Sequence, residues 1–281
     1  MEMSLFENSS VDKIQTSQSN TIECNIDVKS LEQRVRLLII RDLENIGWNI
    51  KYEENKIEVY PPENYDKETI KRAMAVKRTE IINTNRQWIN NNIELARRNL
   101  ASGADVMCSE IDPIIEVCET QKQKDLFRIF RYYWSSPYSD YVGRRIKFLI
   151  RDNALPNKPV IGITALGSPI IIMPERDEFI GWDKKTRLKN LNYTMDAYVI
   201  GALPPYSYLL GGKLIALLLT SNEVRNFCLE KYKGKVTTDG RTANALVGIF
   251  TTSLYGKSSL YNRIKYYDDY IYNHIGYTKG Y

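Results

Sequence analysis

The chain is poor in the residues on which much enzyme chemistry depends. Its 281 residues include a single histidine, His274, and four cysteines, none of them in a CxxC pair. Serine–histidine hydrolysis, histidine-rich metal centres and zinc deaminases all depend on histidine, and no serine or cysteine motif accompanies His274, which favours a structural or surface role over a catalytic one. The cysteine spacing also predicts neither a zinc cluster nor a disulfide framework. We therefore expect no metal site, and any acid–base step falls to carboxylates, tyrosine or lysine.

Long apolar runs are also missing. The longest uninterrupted one, Leu214 to Leu219, has six residues, whereas a membrane-spanning helix needs about 20. The first residues, MEMSLFENSSVDK, contain acids and no apolar stretch of signal-peptide length. Together with the unpaired cysteines, this predicts a cytoplasmic protein without a membrane partner.

The charge balance is mildly basic, with a formal net charge of +5. Basic side chains cluster in several segments, and tyrosines and tryptophans are interleaved with them. Cations neutralise phosphates while rings stack on unpaired bases, which favours DNA as a partner. A solvated helix face beside a tyrosine-rich core gives the same pattern, so both interpretations stay open. The candidate nucleic-acid-binding residues are Lys77, Arg78, Arg97, Arg98, Arg144, Arg145, Arg176, Arg187 and Arg263.

Hydrophobic periodicity divides the chain into four stretches. Residues 1–29 are polar, which is typical of a flexible tail. Residues 30–62 predict a helix capped by Ser30 and a hairpin, an arrangement that resembles part of a winged helix. Residues 63–134 predict a helical layer, with one long helix from Lys67 to about Ala101 and shorter helices at 109–118 and 121–133. Residues 135–281 predict an α/β core that carries the functional site.

The expected fold class is α+β, with a mixed central sheet in the core. Strands are predicted in RRIKFLIRD, PVIGITALG, SPIIIMPE, MDAYVIGALPP, ALVGIFTTS and YIYNHIGYT, and helices in WDKKTRLKNL, LLGGKLIALLL, NEVRNFCLEKY and YGKSSLYNRIK. This order resembles the fold of GNAT-type N-acetyltransferases and Mom proteins. The resemblance implies acyl-CoA as a cofactor, with Gly211, Gly212 and Lys213 holding its pyrophosphate and Tyr261 protonating the departing thiolate. Glycines at such a turn also permit close helix packing, which is the alternative.

The segment RDEFIGWD concentrates charge around a tryptophan. Asp177 or Asp183 is a candidate general base. Lys213, Arg187 and Arg263 are candidates for binding phosphate or a developing anion. Arginine–aspartate pairs beside a tryptophan also stabilise turns, so a structural role for this segment stays open.

Four longer stretches resemble the family of the Druantia anti-phage protein DruA. They are DLFRIFRYYWSSPYSDYVGRR, the RDEFIGWD segment, MDAYVIGALPPYSYLLGGKL, and SSLYNR with GYTKGY, and the resemblance runs from about residue 30 to the end. It implies a role in bacterial defence against phage, beside a large helicase-like protein in complete Druantia systems. Three hypotheses follow: a defence protein whose core acts on DNA as a modifying transferase, a non-catalytic DNA-recognition module working with a helicase or nuclease partner, and a small-molecule N-acyltransferase.

Overall fold

The computed structural model describes residues 30–53, 56–62, 66–137, 142–236 and 240–277. Contacts divide the chain into two compact units, Met1–Pro61 and Pro62–Tyr281. Both units contain helices and strands, so the mixed class expected from the sequence is confirmed. The predicted tail, residues 1–29, lies outside the described residues.

The first unit consists of one helix and one hairpin. Helix α1 is Leu31–Asn45, and strands β1, Asn49–Glu53, and β2, Lys56–Tyr60, pair antiparallel. The Ser30 hydroxyl accepts a hydrogen bond from the Gln33 amide, so the predicted cap is confirmed. Ile40 is the buried residue of the helix, and its apolar side chains Leu31 and Val35 are exposed. One hairpin, which is what the described part of this unit adds to the helix, is too small to cover a second face of it.

Helices α2, Lys67–Thr84, α3, Arg86–Arg97, and α4, Gly103–Met107, open the second unit. The single long helix predicted from Lys67 is therefore wrong, because it is interrupted at Asn85. The Asn85 side-chain nitrogen donates to the Ile81 carbonyl at 2.8 Å, and its oxygen accepts from Arg128 at 2.7 Å. Asparagine side chains compete with the helical backbone in this way, which explains the break.

A mixed sheet of five strands lies at the centre of the second unit as far as it is described. The strands, in spatial order, are β3, Pro113–Val117; β4, Arg145–Asp152; β5, Val160–Gly167; β6, Thr194–Ala202; and β7, Gly248–Phe250. Strands β3 to β6 pair antiparallel, and β7 pairs parallel with β6. The helix predicted at 109–118 is wrong. Pro113 begins an edge strand, where a missing amide hydrogen is tolerated, and Ile114, Ile115 and Val117 favour a strand.

Helices cover both faces of this sheet. Helix α5, Gln121–Arg131, joins β3 to β4; α6, Pro174–Ile180, and α7, Lys184–Asn190, join β5 to β6; α8, Gly211–Leu218, and α9, Asn222–Tyr232, join β6 to β7. The Phe148 ring meets Phe227 of α9, whereas the neighbouring Lys147 lies over Phe127 of α5. Successive strand residues point to opposite faces, so α9 and α5 pack on opposite sides of the sheet.

Three predicted elements of the core differ from the structure. The SPIIIMPE segment is not a strand, because side chains bind its backbone: Asp196 accepts from the Ile170 amide at 2.8 Å, and Arg176 donates to the carbonyls of Ile170 and Ile171. The YGKSSLYNRIK segment forms turns rather than a helix. The predicted last strand is also wrong as far as Tyr277. A short hairpin, made of β8, Lys265–Tyr266, and β9, Asp269–Tyr270, comes just before it, and residues 271–277 form no strand.

Candidate functional site

The RDEFIGWD segment builds a buried ion cluster between α6 and α7. Arg176 is completely buried and donates to one carboxylate oxygen of Asp177 from Nε at 2.9 Å and Nη2 at 2.7 Å. It also donates to the Ile170 carbonyl at 2.6 Å and the Ile171 carbonyl at 3.2 Å. Arg187 of α7 donates to the other Asp177 oxygen at 2.8 Å. The cluster therefore joins two helices and the loop that follows β5.

The pKa of Asp177 is set by two opposing effects. Burial by itself raises the pKa, but hydrogen bonds from Arg187 and Arg176 outweigh burial and hold the pKa below its usual range. The carboxylate is thus ionised, and both of its oxygens are occupied. A general base works best with an accessible oxygen and a pKa near the working pH. This geometry gives Asp177 a structural role, and its role in catalysis stays a prediction.

The other predicted base, Asp183, is the exposed N-cap of α7. Its carboxylate accepts from the Thr186 amide at 2.7 Å, and that hydrogen bond holds the pKa of Asp183 below its usual range. A capping carboxylate of this kind stabilises the helix start. Catalysis by Asp183 likewise stays a prediction.

The ion cluster and the glycine turn lie at opposite ends of β6. Arg176 lies over the ring of Phe250, which pairs with Asp196 near the start of β6. Gly211, in contrast, packs on Ala202 at the end of the strand. The strand between Asp196 and Ala202 spans roughly 20 Å at the usual rise per residue. The structure therefore does not bring the predicted bases to the predicted cofactor turn.

The glycine turn itself is closely packed. A Cβ atom on Gly211 would lie 2.6 Å from the Tyr206 carbonyl oxygen, and one on Gly212 would lie 3.0 Å from Cδ1 of Leu260. Close helix packing therefore accounts for Gly211, because even the smallest side chain would clash with backbone there. Lys213 follows in the first turn of α8 and is half-buried.

A buried pair that the sequence did not predict anchors this turn. The Tyr206 hydroxyl donates to Asp152 of β4 at 2.8 Å, and both side chains are buried. Burial, followed by this hydrogen bond, raises the pKa of Tyr206. The second Asp152 oxygen accepts from the amides of Asp112 and Ala154. The start of α8 is thus tied to the end of β4.

Three stretches that carry the family resemblance meet beyond the end of β6. A Cβ atom on Gly201 would lie 2.2 Å from Cζ2 of Trp134, so the indole packs directly on the strand. The hydroxyls of Ser135 and Tyr255 lie 2.9 Å apart. We call this surface the motif face, and its members are Tyr133, Trp134, Ser135, Gly201, Tyr208, Gly212, Tyr255 and Leu260.

The motif face combines rings, hydroxyls and cations. Tyr133 is 43% exposed and Tyr208 is 75% exposed. Burial, and then the neighbouring Tyr208, raise the pKa of Tyr133, so its phenol is neutral. The Lys67 ammonium lies 5.6 Å from the centre of the Tyr255 ring, and Lys71 is close enough to act on the same phenol electrostatically. No single segment of sequence shows this set, because it comes together only through the sheet.

Tyr261, the predicted acid, lies on the α8 side of the molecule. Its ring centre is 5.6 Å from that of Tyr272, whose hydroxyl donates to the Ala216 carbonyl of α8 at 2.6 Å. Burial raises the pKa of Tyr261, although a hydrogen bond with Thr251 acts in the opposite direction. The structure thus connects Tyr261 to the helix that carries Gly211, but not to Asp177 or Asp183.

The predicted nucleic-acid-binding residues fall into two groups. Arg78 donates to two carbonyls after α5, at 2.8 and 3.1 Å, and Arg144 donates to two carbonyls at the start of β6, at 2.8 and 2.9 Å. Burial lowers the pKa of both guanidinium groups. Like Arg176 and Arg187, they are engaged inside the fold. The exposed members of the set are Lys77, Arg97, Arg98, Arg145 and Arg263.

The part of the chain that the structure describes contains no group of three or more His, Cys, Asp or Glu side chains placed to hold a metal ion. Within the same residues, every helix is too short or too polar to cross a lipid bilayer.

The fold defines a mixed α+β protein, and the motif face is its candidate site, built from tyrosines, hydroxyls and lysines around the end of a central strand. The particular family follows from comparison. The profile of Druantia protein DruA matches residues 64–281, and the Druantia protein DruA of Escherichia coli (strain UMEA 4076-1) is 38% identical over 217 residues. The chain therefore belongs to the DruA family. The match covers 76% of this chain and 53% of that protein, so the chain spans about half the length of the curated relative. No solved structure matches the chain.

Proposed function

We propose that the chain is an anti-phage defence protein of the DruA type that binds DNA through the motif face. Its family membership supports the defence role. One observation supports DNA binding. The stretches that carry the family resemblance meet at one surface, where exposed rings lie beside lysines. Tyr133 and Tyr208 stack on unpaired bases, and Lys67 and Lys71 neutralise phosphates.

The same proposal assigns the exposed cations to the backbone of the bound DNA. Lys77 and Arg97 form surface pairs with Glu80 and Glu94 at 2.8 and 2.7 Å. Such exposed pairs are weak, so phosphates can replace the carboxylates. The remaining contacts are Arg98, Arg145 and Arg263. In this proposal the chain acts in the cytoplasm as a recognition module and delivers DNA to a helicase or nuclease partner.

Fluorescence anisotropy with labelled single-stranded and duplex oligonucleotides, measured across a salt series, tests DNA binding. We expect a preference for single strands and a linear fall of log affinity with log salt. Tyr133→Ala and Tyr208→Ala should each lose about 1–3 kcal/mol of binding free energy, the usual contribution of one stacked base. Tyr267→Ala is the matched control, because Tyr267 is 85% exposed at the β8–β9 turn. No binding at low salt, or equal losses in all three variants, contradicts the proposal.

A second candidate, a transferase that uses acyl-CoA, is favoured by the short pairing of β7 with β6, which leads to the glycine turn. Strand β7 pairs with β6 only from Gly248 to Phe250, and the next residue, Thr251, donates its hydroxyl to the Ala197 carbonyl at 2.9 Å. Strand β6 continues beyond this pairing to the glycine turn, and the neutral phenol of Tyr261 is the candidate acid. The acceptor is DNA or a small molecule.

Calorimetric titration with acetyl-CoA tests this second candidate. Binding should be present in the wild type and weakened by Lys213→Gln, because the pyrophosphate loses a cation. Tyr261→Phe should keep binding and lose acyl transfer, whereas Tyr266→Phe, on the exposed β8–β9 hairpin, should keep both. Wild-type protein that does not bind acetyl-CoA removes the transferase candidate.

A further inference from the structure

Cations gather around Tyr232 at the end of α9. The Arg144 guanidinium lies 5.7 Å and the Lys235 ammonium 5.5 Å from the centre of the Tyr232 ring. Lys231 precedes the same tyrosine, and its pKa is lowered, first by partial burial and then by the charge of Lys235. Arg144 also holds the start of β6, so this cluster and the motif face lie at opposite ends of that strand.

A buried hydroxyl lies beside these cations. Arg144 and Tyr232 line a small, otherwise apolar cavity, and Lys231 and Lys235 lie outside its lining. The Tyr232 hydroxyl is buried and makes no hydrogen bond of standard geometry, although the Arg145 amide approaches it. Burial raises the pKa of Tyr232, so the hydroxyl stays a neutral donor. Buried donors in native proteins almost always find an acceptor.

The charge around this hydroxyl is unbalanced. None of Arg144, Lys231 and Lys235 forms an ion pair with a carboxylate of the described residues. Glu119 is the acid that acts on Lys231, and Lys124 adds a further cation. Cys228 adds no negative charge, because burial raises the pKa of its thiol to about 11. Three cations beside one buried donor favour an anion as the ligand.

We propose that Arg144, Lys231, Tyr232 and Lys235 bind a phosphate group, either of a nucleic-acid backbone or of a free nucleotide. Arg144 uses two of its N–H groups on the carbonyls of Asn192 and Thr194 and keeps others for a ligand. The lysines supply point charges and Tyr232 supplies a directed donor, which together suit a tetrahedral oxyanion. This site does not depend on DNA binding by the motif face.

Titration of the full chain with sodium pyrophosphate, followed by thermal shift, tests the site. The double variant Lys231→Gln/Lys235→Gln should bind about ten-fold more weakly, because two charge-assisted contacts are lost. Tyr232→Phe, which removes only the hydroxyl, should bind a few-fold more weakly. Lys233→Gln is the matched control, because Lys233 sits between the two lysines and pairs with Glu230 at 3.8 Å. It should bind like the wild type.

The salt dependence of single-stranded DNA binding separates the two sources of phosphate. A log–log slope that falls by about 1.4 in the double variant identifies backbone phosphates, at roughly 0.7 per lysine on a single strand. Lost pyrophosphate binding with an unchanged DNA slope identifies a free nucleotide. If the double variant matches Lys233→Gln in both measurements, the proposal is wrong. The proposal for the motif face fails in a different measurement, namely DNA binding by Tyr133→Ala and Tyr208→Ala.

Discussion

Replacement of Arg176 by methionine should destabilise the second unit strongly. Methionine fills much of the same space but cannot donate a hydrogen bond. The change leaves one Asp177 oxygen and the carbonyls of Ile170 and Ile171 without their donors. The Asp177 carboxylate keeps its ion pair with Arg187, at 2.8 Å.

The expected magnitude follows from burial. Arg176 is completely buried and Asp177 is 7% exposed, so water cannot replace the lost donors. Removing one partner of a buried ion pair usually costs about 3–5 kcal/mol. The carbonyls left without donors add to this loss. Part of it is offset, because methionine does not carry the desolvation cost of a buried guanidinium. We expect a net loss of about 3–5 kcal/mol, which lowers Tm by roughly 6–20 °C in a unit of this size.

Urea unfolding followed by circular dichroism and tryptophan fluorescence measures this loss. Trp182 reports locally, because the Arg176 guanidinium lies 5.7 Å from its ring centre. The control is Arg98→Met, at the exposed residue that follows α3, which should stay within about 0.5 kcal/mol of the wild type. A loss below about 1 kcal/mol in Arg176→Met, typical of a surface pair, would refute the assignment of a structural ion cluster.

Three further changes have defined outcomes. Asp177→Asn should lower the free energy of unfolding at neutral pH. The lowered pKa of Asp177 stabilises the wild type above the ordinary aspartate range, and this stabilisation is lost as pH falls through the lowered value. The variant should lack this loss in acid, and urea midpoints at several pH values measure it. Tyr206→Phe should lower the free energy of unfolding by about 1–3 kcal/mol, because buried Asp152 loses a donor. Since the pKa of Tyr206 is raised, wild-type stability is also lost as pH rises beyond the ordinary tyrosine range. Unfolding midpoints at alkaline pH should depend less on pH in the variant. Gly201→Ala should cost about 1–3 kcal/mol, shift the emission of Trp134 and weaken DNA binding, because the new methyl displaces the indole.

The glycine prediction has a matched control, and each of the three predictions has an outcome that contradicts it. Gly103→Ala should leave stability and DNA binding unchanged, since no atom lies within 4 Å of the added Cβ. An Asp177→Asn variant with the acid midpoint of the wild type would contradict the first prediction, and equal alkaline midpoints for Tyr206→Phe and the wild type would contradict the second. Equal effects of the two glycine substitutions would contradict the third.

Elements with a strong local signal were predicted correctly from the sequence. Helix α9 occupies Asn222–Tyr232 as expected, and strands β4, β5 and β6 lie where alternating or continuous apolar residues predict them. Helix α5 begins after Thr120, whose side chain and Gln123 form a capping box. In these segments local preference and tertiary packing agree, which is why a pattern suffices.

The errors occur where distant partners decide the structure. A short, mostly apolar segment such as Ile114 to Val117 fits a helix or a strand, and the choice depends on pairing with β4, which follows much later in the chain. The isoleucines after Pro169 have strand-forming side chains. Their backbone groups are bound by Arg176 and Asp196 instead of by a neighbouring strand.

The candidate site was predicted only in fragments for the same reason. The sequence indicated that Asp177 is charged and lies beside arginines, but it could not show that both carboxylate oxygens are occupied. It indicated tyrosines and glycines in separate stretches. That Trp134 packs on Gly201 and Ser135 contacts Tyr255 depends on strand order and helix packing, which periodicity does not specify.

The order of the strands along the chain has a consequence for synthesis on the ribosome. Strands β3 to β6 follow one another and can pair as soon as Ala202 has emerged, but β7 begins only at Gly248. At about 5–20 residues per second, the outer edge of β6 stays open for roughly 2–9 seconds. An open edge is a template for pairing with another chain. A nascent chain stalled between α8 and β7 is therefore the form of this protein most prone to aggregate.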